Sequence, residues 1–251
     1  MLLGSSWTFP TCHMPSYPRI AVYFSTQAGV ITGQSRPYST SIVLTYDVVH
    51  SCSPNAKWDW DTATFSLSLS AVRPIRCGEE ITIQYTSPVR PWEERQALLR
   101  SLYGFTCYCS ACSLPSRRAI LKSDQARATL DQFWSTLPTF EEWCLDASMP
   151  DDMLINAHAY ALKLIEQEGL EVLDCGKHVD AIAMCYGALE DVEMFRPWTE
   201  RVRDLKVRAN PKQALVFAKW LSNPIAFPAW GWRRTFVSRC CMLSSSSSFT
   251  S

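Results

Sequence analysis

Cys107-Tyr108-Cys109-Ser110-Ala111-Cys112 decides how this chain is read. A C-x-C-x-x-C run brings three thiolates onto one short turn of backbone, and a tetrahedral metal needs a fourth ligand from elsewhere. Upstream lie two further conspicuous segments, His50-Ser51-Cys52-Ser53-Pro54-Asn55 and Gly78-Glu79-Glu80-Ile81-Thr82-Ile83-Gln84-Tyr85. The first of them holds Cys52, the natural candidate for the fourth sulfur.

Working outward, residues 56–85 carry the pattern of strands. Ala56, Trp58 and Trp60 alternate with polar residues, Asp61-Thr62 reads as a turn, and Phe65, Leu67 and Leu69 alternate with serines. That pattern predicts a hairpin with one buried and one wet face. Ile81, Ile83 and Tyr85 repeat the period of two after a loop punctuated by Pro74 and Gly78. Pro91 opens a helix with Glu93 and Glu94 in its first turn, Leu98, Leu99 and Leu102 as its apolar stripe, and Gly104 at its end.

Beyond residue 117 the period becomes helical, over 119–137, 151–168, 177–195, 197–209 and 211–221. Short helices with short connections imply a bundle or stacked array. The fold class expected is α+β. Residues 1–46 are poorly patterned apart from Ile20–Phe24, residues 115–232 form the helical region, and residues 233–251, with the serine run Ser244–Ser248, read as a disordered tail.

Twenty-four basic and 24 acidic side chains leave no net charge, which argues against a general polyanion binder. No apolar stretch is long enough to span a bilayer, and the first residues lack a basic secretory start. Eleven cysteines, an odd number with three clustered, read as reduced thiols plus one metal site in an intracellular compartment, nucleus or cytoplasm. Cys144, Cys175 and Cys185 read as core residues, His158 and His178 as lone structural histidines, and Asp151-Asp152 as helix-start charge.

In order and spacing, the three segments over residues 47–114 resemble the C-terminal half of a SET domain with its post-SET zinc site. They are most similar to the SET-and-MYND type of protein-lysine methyltransferase. The resemblance implies Zn2+ held by Cys52, Cys107, Cys109 and Cys112, and S-adenosyl-L-methionine as methyl donor. It implies that Tyr85 is the catalytic tyrosine and that Tyr103 belongs to the catalytic residues, with Tyr103 and Phe105 walling the lysine channel. His50 and Asn55, with Tyr85 and Phe105, are implied cofactor contacts. The partner would be a protein lysine, histone or otherwise, bound by a monomer without nucleic acid or membrane.

Two departures qualify the match. Val49 stands where the family has a cofactor-binding Asn, so affinity for the donor is expected to be lower by about 1–3 kcal/mol. No Gly-x-Gly loop precedes His50, since Gly29 and Gly33 are too far apart, and the MYND finger is absent; residues 1–46 are therefore expected to fall outside the SET pattern in a shortened chain. A non-catalytic, zinc-stabilised interaction module is the alternative, and a redox-responsive thiol protein, which needs exposed cysteines, is a third reading.

Overall fold

The structure, a computed structural model, describes residues 48–62 and 66–236. The readings of residues 1–46, of Phe65 and of the serine run lie outside them. Two compact units are present, one taking the chain up to Ala128 with Glu166–Leu173, the other Thr129–Ile165 with the chain from Asp174 onward.

In the first unit, β1 (Val48–His50) pairs in parallel with β4 (Ile81–Ile83), and β2 (Ala56–Asp61) pairs antiparallel with β3 (Ser66–Ala71). The hairpin register sets Trp58 opposite Leu69 and Trp60 opposite Leu67. Among the described residues its expected buried face is only partly covered. Trp58 is 48% exposed and Trp60 38%, while Ala56 is sequestered. A two-stranded ribbon has too little neighbouring structure to cover large side chains along its length.

Asn55 ties the two strand pairs together. Its Oδ1 accepts from Thr82 N–H (2.7 Å) and from the Thr82 hydroxyl (3.2 Å), and its Nδ2 donates to Glu79 Oε1 (3.0 Å) and the Glu80 carbonyl (2.8 Å). An amide has two donors and two acceptor lone pairs, so this side chain, 1% exposed, is saturated inside the protein.

Helix α1 (Trp92–Tyr103) closes at Gly104, whose φ of 74° is the left-handed conformation that glycine adopts without a Cβ penalty. Of its expected stripe, Leu99 is buried and Leu102 is 67% exposed. The inward face instead holds Trp92, Gln96 and Leu99, at spacings of four and three.

Then come α2 (Arg117–Thr136), α3 (Phe140–Leu145), α4 (Met153–Glu168), α5 (Cys175–Ala188), α6 (Val192–Ala209) and α7 (Pro211–Ser222). In the second unit α5 packs on α6, and α6 on α7. The expected break at Pro197 is displaced. The chain turns at Glu190 (φ 59°), Asp191 caps α6 by accepting from Met194 N–H, and Pro197 lies inside α6. Helix α3 was not expected; a capping box between Thr139 and Glu142 starts it.

Order also continues past residue 232, contrary to the tail boundary expected at 233. Residues 232–236 are helical and Arg233 is 2% exposed. Its guanidinium donates to the carbonyls of Trp143, Asp146 and Met149 and pairs with Asp151 at 2.9 Å. Asp151 is thus a partner for that arginine rather than simple helix-start charge.

His158 and His178 are not lone residues. Their Nδ1 atoms lie 3.0 Å apart in the core of the second unit, beneath Phe133 and Trp134. Burial foremost pushes both imidazoles down to about 4. A histidine whose folded pKa lies below its unfolded value of about 6.5 binds fewer protons in the native state, so stability falls as pH falls. We expect the second unit to be most stable above about pH 6.5 and to lose stability between there and pH 4, by up to about 1.4 kcal/mol per pH unit per histidine. Replacing both histidines by Gln should flatten that slope in urea titrations run from pH 7.5 to 4.5. An unchanged slope would place the proton uptake elsewhere.

Candidate metal centre and active site

Cys52 follows β1, and the other three cysteines follow Gly104, so strand pairing and the end of α1 together set the sulfur positions. The Sγ atoms of Cys52, Cys107, Cys109 and Cys112 all lie within 4.8 Å of one another. Those of Cys52 and Cys112 are 3.5 Å apart. Tetrahedral zinc–thiolate bonds place sulfurs about 3.8 Å apart, so the quartet fits one ion. Hydrogen bonding among the sulfurs, that to Cys107 foremost, pushes the Cys52 thiol far above its usual range. A dication held by the four sulfurs would supply the charge that lets all four ionise.

Three of the four sulfurs are buried, Cys52 at 0%, Cys107 at 5% and Cys112 at 8% exposure. That burial favours a closed structural site over a redox sensor, which requires accessible thiolate. Gln96 holds the Cys107 peptide from both sides: its Nε2 donates to the Cys107 carbonyl (2.8 Å) and its Oε1 accepts from Cys107 N–H (3.1 Å). The Trp92 indole donates to the Cys112 carbonyl (3.1 Å). Neither residue was picked out from the sequence. The signal was the face they share with Leu99 on α1.

From the other side of the chain, Arg127 reaches the same loop. Its guanidinium is fully buried. It donates through Nη1 to the carbonyls of Cys52 and Pro88, and through Nε to Glu168 Oε2 (3.2 Å) and the Ser123 hydroxyl (3.2 Å). The Ser53 hydroxyl adds a bond to the Glu168 carbonyl (2.7 Å).

Beside the sulfurs sits an aromatic cluster. Tyr85 and Phe105 pack on the core formed by Cys52, Leu99, Cys107 and Cys112. The Tyr85 ring centroid lies 5.2 Å from His50, 5.0 Å from Tyr103 and 6.4 Å from Phe105. The Tyr103 hydroxyl donates to the Tyr85 carbonyl at 3.3 Å. His50 joins the two halves of the site. Its Nδ1 accepts from Tyr85 N–H (3.0 Å), which leaves the ring proton of the neutral imidazole on Nε2, 3.3 Å from Cys52 Sγ. The structure thus brings together His50, Tyr85, Tyr103, Phe105 and the four cysteines. Asn55 lies in the same unit, but its amide is committed to Glu79, Glu80 and Thr82.

Residues 28–86 match the SET domain family, so the match takes in residues 28–46, expected from the sequence to fall outside the SET pattern. Over 178 residues, 70% of this chain and 54% of the relative, the chain is 29% identical to the histone-lysine N-methyltransferase set5 of Schizosaccharomyces pombe. It is 30% identical over 176 residues to the histone-lysine N-methyltransferase SMYD3 of Mus musculus, covering 63% of this chain and 39% of that protein. A shorter region of 68 residues, 25% of this chain and 14% of the relative, is 46% identical to the histone-lysine N-methyltransferase ATXR2 of Arabidopsis thaliana. Residues 28–86 are thus similar to a SET domain, and longer stretches of the chain are similar to SET and SET-and-MYND lysine methyltransferases. The chain spans about half the length, or less, of these two curated relatives over the long alignments. No helix among the described residues is long and apolar enough to cross a membrane.

Proposed function

We propose that this chain descends from a SET-type protein-lysine N-methyltransferase and that its first unit is the methyl-transfer half of that machinery. The observation that carries the reading is the junction at His50, where one ring touches both a sulfur of the metal centre and the backbone of Tyr85. Zinc would be held by Cys52, Cys107, Cys109 and Cys112, in a structural role with no ligand position left for substrate.

S-adenosylmethionine, when bound, supplies an electrophilic methyl group on a sulfonium. The rings of His50, Tyr85, Tyr103 and Phe105 suit it, since aromatic faces attract a cation and exclude water. The same rings favour the neutral form of an incoming lysine amine, because burial disfavours its charged form. Tyr85 is the residue assigned to the reacting groups, with its hydroxyl orienting amine and methyl. Tyr103 and Phe105 wall the channel. Aligning amine, methyl and sulfur supplies most of the acceleration in such a displacement. His50 acts as a positioning residue for Tyr85, and Asn55 as the lock that holds the loop before Tyr85, so the cofactor-contact role expected of Asn55 passes to other groups. The methyl acceptor is a protein lysine, and the reading places the protein inside the cell.

Val49 is 44% exposed and carries no amide, which favours weak donor binding. The test is transfer of labelled methyl from S-adenosylmethionine to histone and mixed-protein acceptors at high donor concentration. We expect Tyr85→Phe to lower the rate by roughly 10²-fold or more, the range of a lost positioned acid–base or orienting group, with zinc content unchanged. Transfer unaffected by Tyr85→Phe would sink the catalytic assignment. No transfer at any donor concentration would leave the zinc-stabilised interaction module as the function.

A further inference from the structure

Two arginines lie buried in the first unit with less negative charge around them than they need. Arg95 and Arg127 are both 0% exposed. Burial foremost, and then the charge of Arg95, hold the Arg127 pKa below its usual value, so the two guanidiniums stand close enough to repel. Arg127 meets one carboxylate, that of Glu168, at 3.2 Å. Arg95 reaches Asp124 at 3.9 Å, through an oxygen that already accepts from Trp92 N–H at 2.8 Å. The Arg95 Nε–H has no hydrogen-bond partner among the described residues. A buried charge left short of a counter-charge is strongly unfavourable.

The four sulfurs hold the charge that is missing. Four thiolates around a dication leave a loaded centre with two negative charges. Arg127 donates to the Cys52 carbonyl at 3.2 Å, and after Glu168 the sulfurs of Cys52 and Cys109 weigh in favour of its charge. Its place does not depend on the Glu168 carboxylate, because the carbonyls of Cys52, Pro88 and Glu168 all accept from it. Guanidinium stays charged in proteins, so it acts as a fixed charge.

We infer that Arg127 is the counter-charge of the metal centre, shared between the sulfurs and Glu168, and that this sharing sets how firmly the ion is held. The inference rests on the zinc-centre reading above and adds to it a residue that governs retention of the ion. A mere brace and a counter-charge predict opposite signs at Glu168. Neutralising Glu168 weakens a brace, and the ion leaves faster. Neutralising it removes a negative charge that repels the dianionic centre and releases Arg127 to the sulfurs, and the ion leaves more slowly.

The test follows zinc transfer from the full zinc-loaded chain to an excess of a chromophoric chelator, with circular dichroism recorded on each loaded variant beforehand. Arg127→Gln should speed zinc loss by roughly tenfold or more, the scale of one nearby charge–charge interaction in a protein. Arg127→Lys, which keeps the charge, should stay close to the parent. Glu168→Gln should slow zinc loss by roughly threefold or more. If Arg127→Gln does not fold, Glu168→Gln decides by its sign. Unchanged or faster loss from Glu168→Gln, or equal loss from Arg127→Lys and Arg127→Gln, overturns the counter-charge and leaves the zinc centre intact. A parent chain that carries no zinc removes the centre and this inference with it.

Discussion

Cys52→Ser is expected to strip the protein of its metal and unfold the first unit. The residue is wholly buried, its carbonyl accepts from Arg127, its N–H donates to Cys109 Sγ, and its own sulfur completes the quartet. Structural zinc contributes about 10–16 kcal/mol in small zinc-finger peptides, against about 5–15 kcal/mol of net stability in a whole domain. Losing most of that contribution would leave little of the unit folded. Stoichiometric zinc in the parent chain and its absence in Cys52→Ser, measured by plasma mass spectrometry, is the primary observation. Amide hydrogen exchange over residues 50–55 and 107–113 should rise to that of unprotected chain. Cys77→Ser is the control, because Cys77 is exposed and lies outside the quartet, and it should retain full metal. A strong chelator added to the parent chain should reproduce the Cys52→Ser exchange pattern. A Cys52→Ser variant that keeps one zinc per chain would refute the quartet as a metal centre.

The second large effect is expected at Arg127. Arg127→Met removes a buried guanidinium and leaves the carbonyls of Cys52 and Pro88 without a donor, with the Glu168 carboxylate losing its ion pair. Burial and the nearby Arg95 charge already hold the Arg127 pKa below its usual value, but guanidinium stays charged in proteins. Removing one partner of a buried pair costs about 3–5 kcal/mol, because the other charge is left behind. For a chain of this size that corresponds to a midpoint lower by roughly 6–20 °C. The double change Arg127→Met with Glu168→Leu should recover part of the loss, since it removes both charges together. If Arg127→Met alone shifts thermal unfolding by less than a degree or two, the hub contributes little.

Much of the site could be read directly because it is built from residues whose chemistry announces itself. Four cysteines, a tyrosine at the end of an apolar alternation and an aromatic pair before the cysteines are distinctive at any position. The Pro91-to-Gly104 helix was equally plain, since both of its ends use residues with unusual backbone preferences. What stayed hidden depends on distance along the chain. Arg127 lies 75 residues from Cys52, and nothing local distinguishes it from a solvated arginine on a polar helix. The pairing of His158 with His178 needs two helices to meet. Pro197 misled for a different reason: a proline near the start of a helix lacks only one interior bond, and the actual break came from the positive φ at Glu190. The Trp58 and Trp60 face shows the limit of period-two alternation, which tells which residues share a side of a ribbon but not whether anything covers it.

The bond from Ser53 to the Glu168 carbonyl spans 115 residues. Closing so long a loop is entropically costly and is rewarded late. On the ribosome, therefore, the sulfurs emerge well before the brace that secures the Cys52 loop does. During that interval the nascent chain presents three thiols on one turn to its surroundings, open to metal exchange and to oxidants. With zinc as the proposed ligand, its supply during synthesis would then bear on how much chain matures, alongside its affinity for the finished molecule.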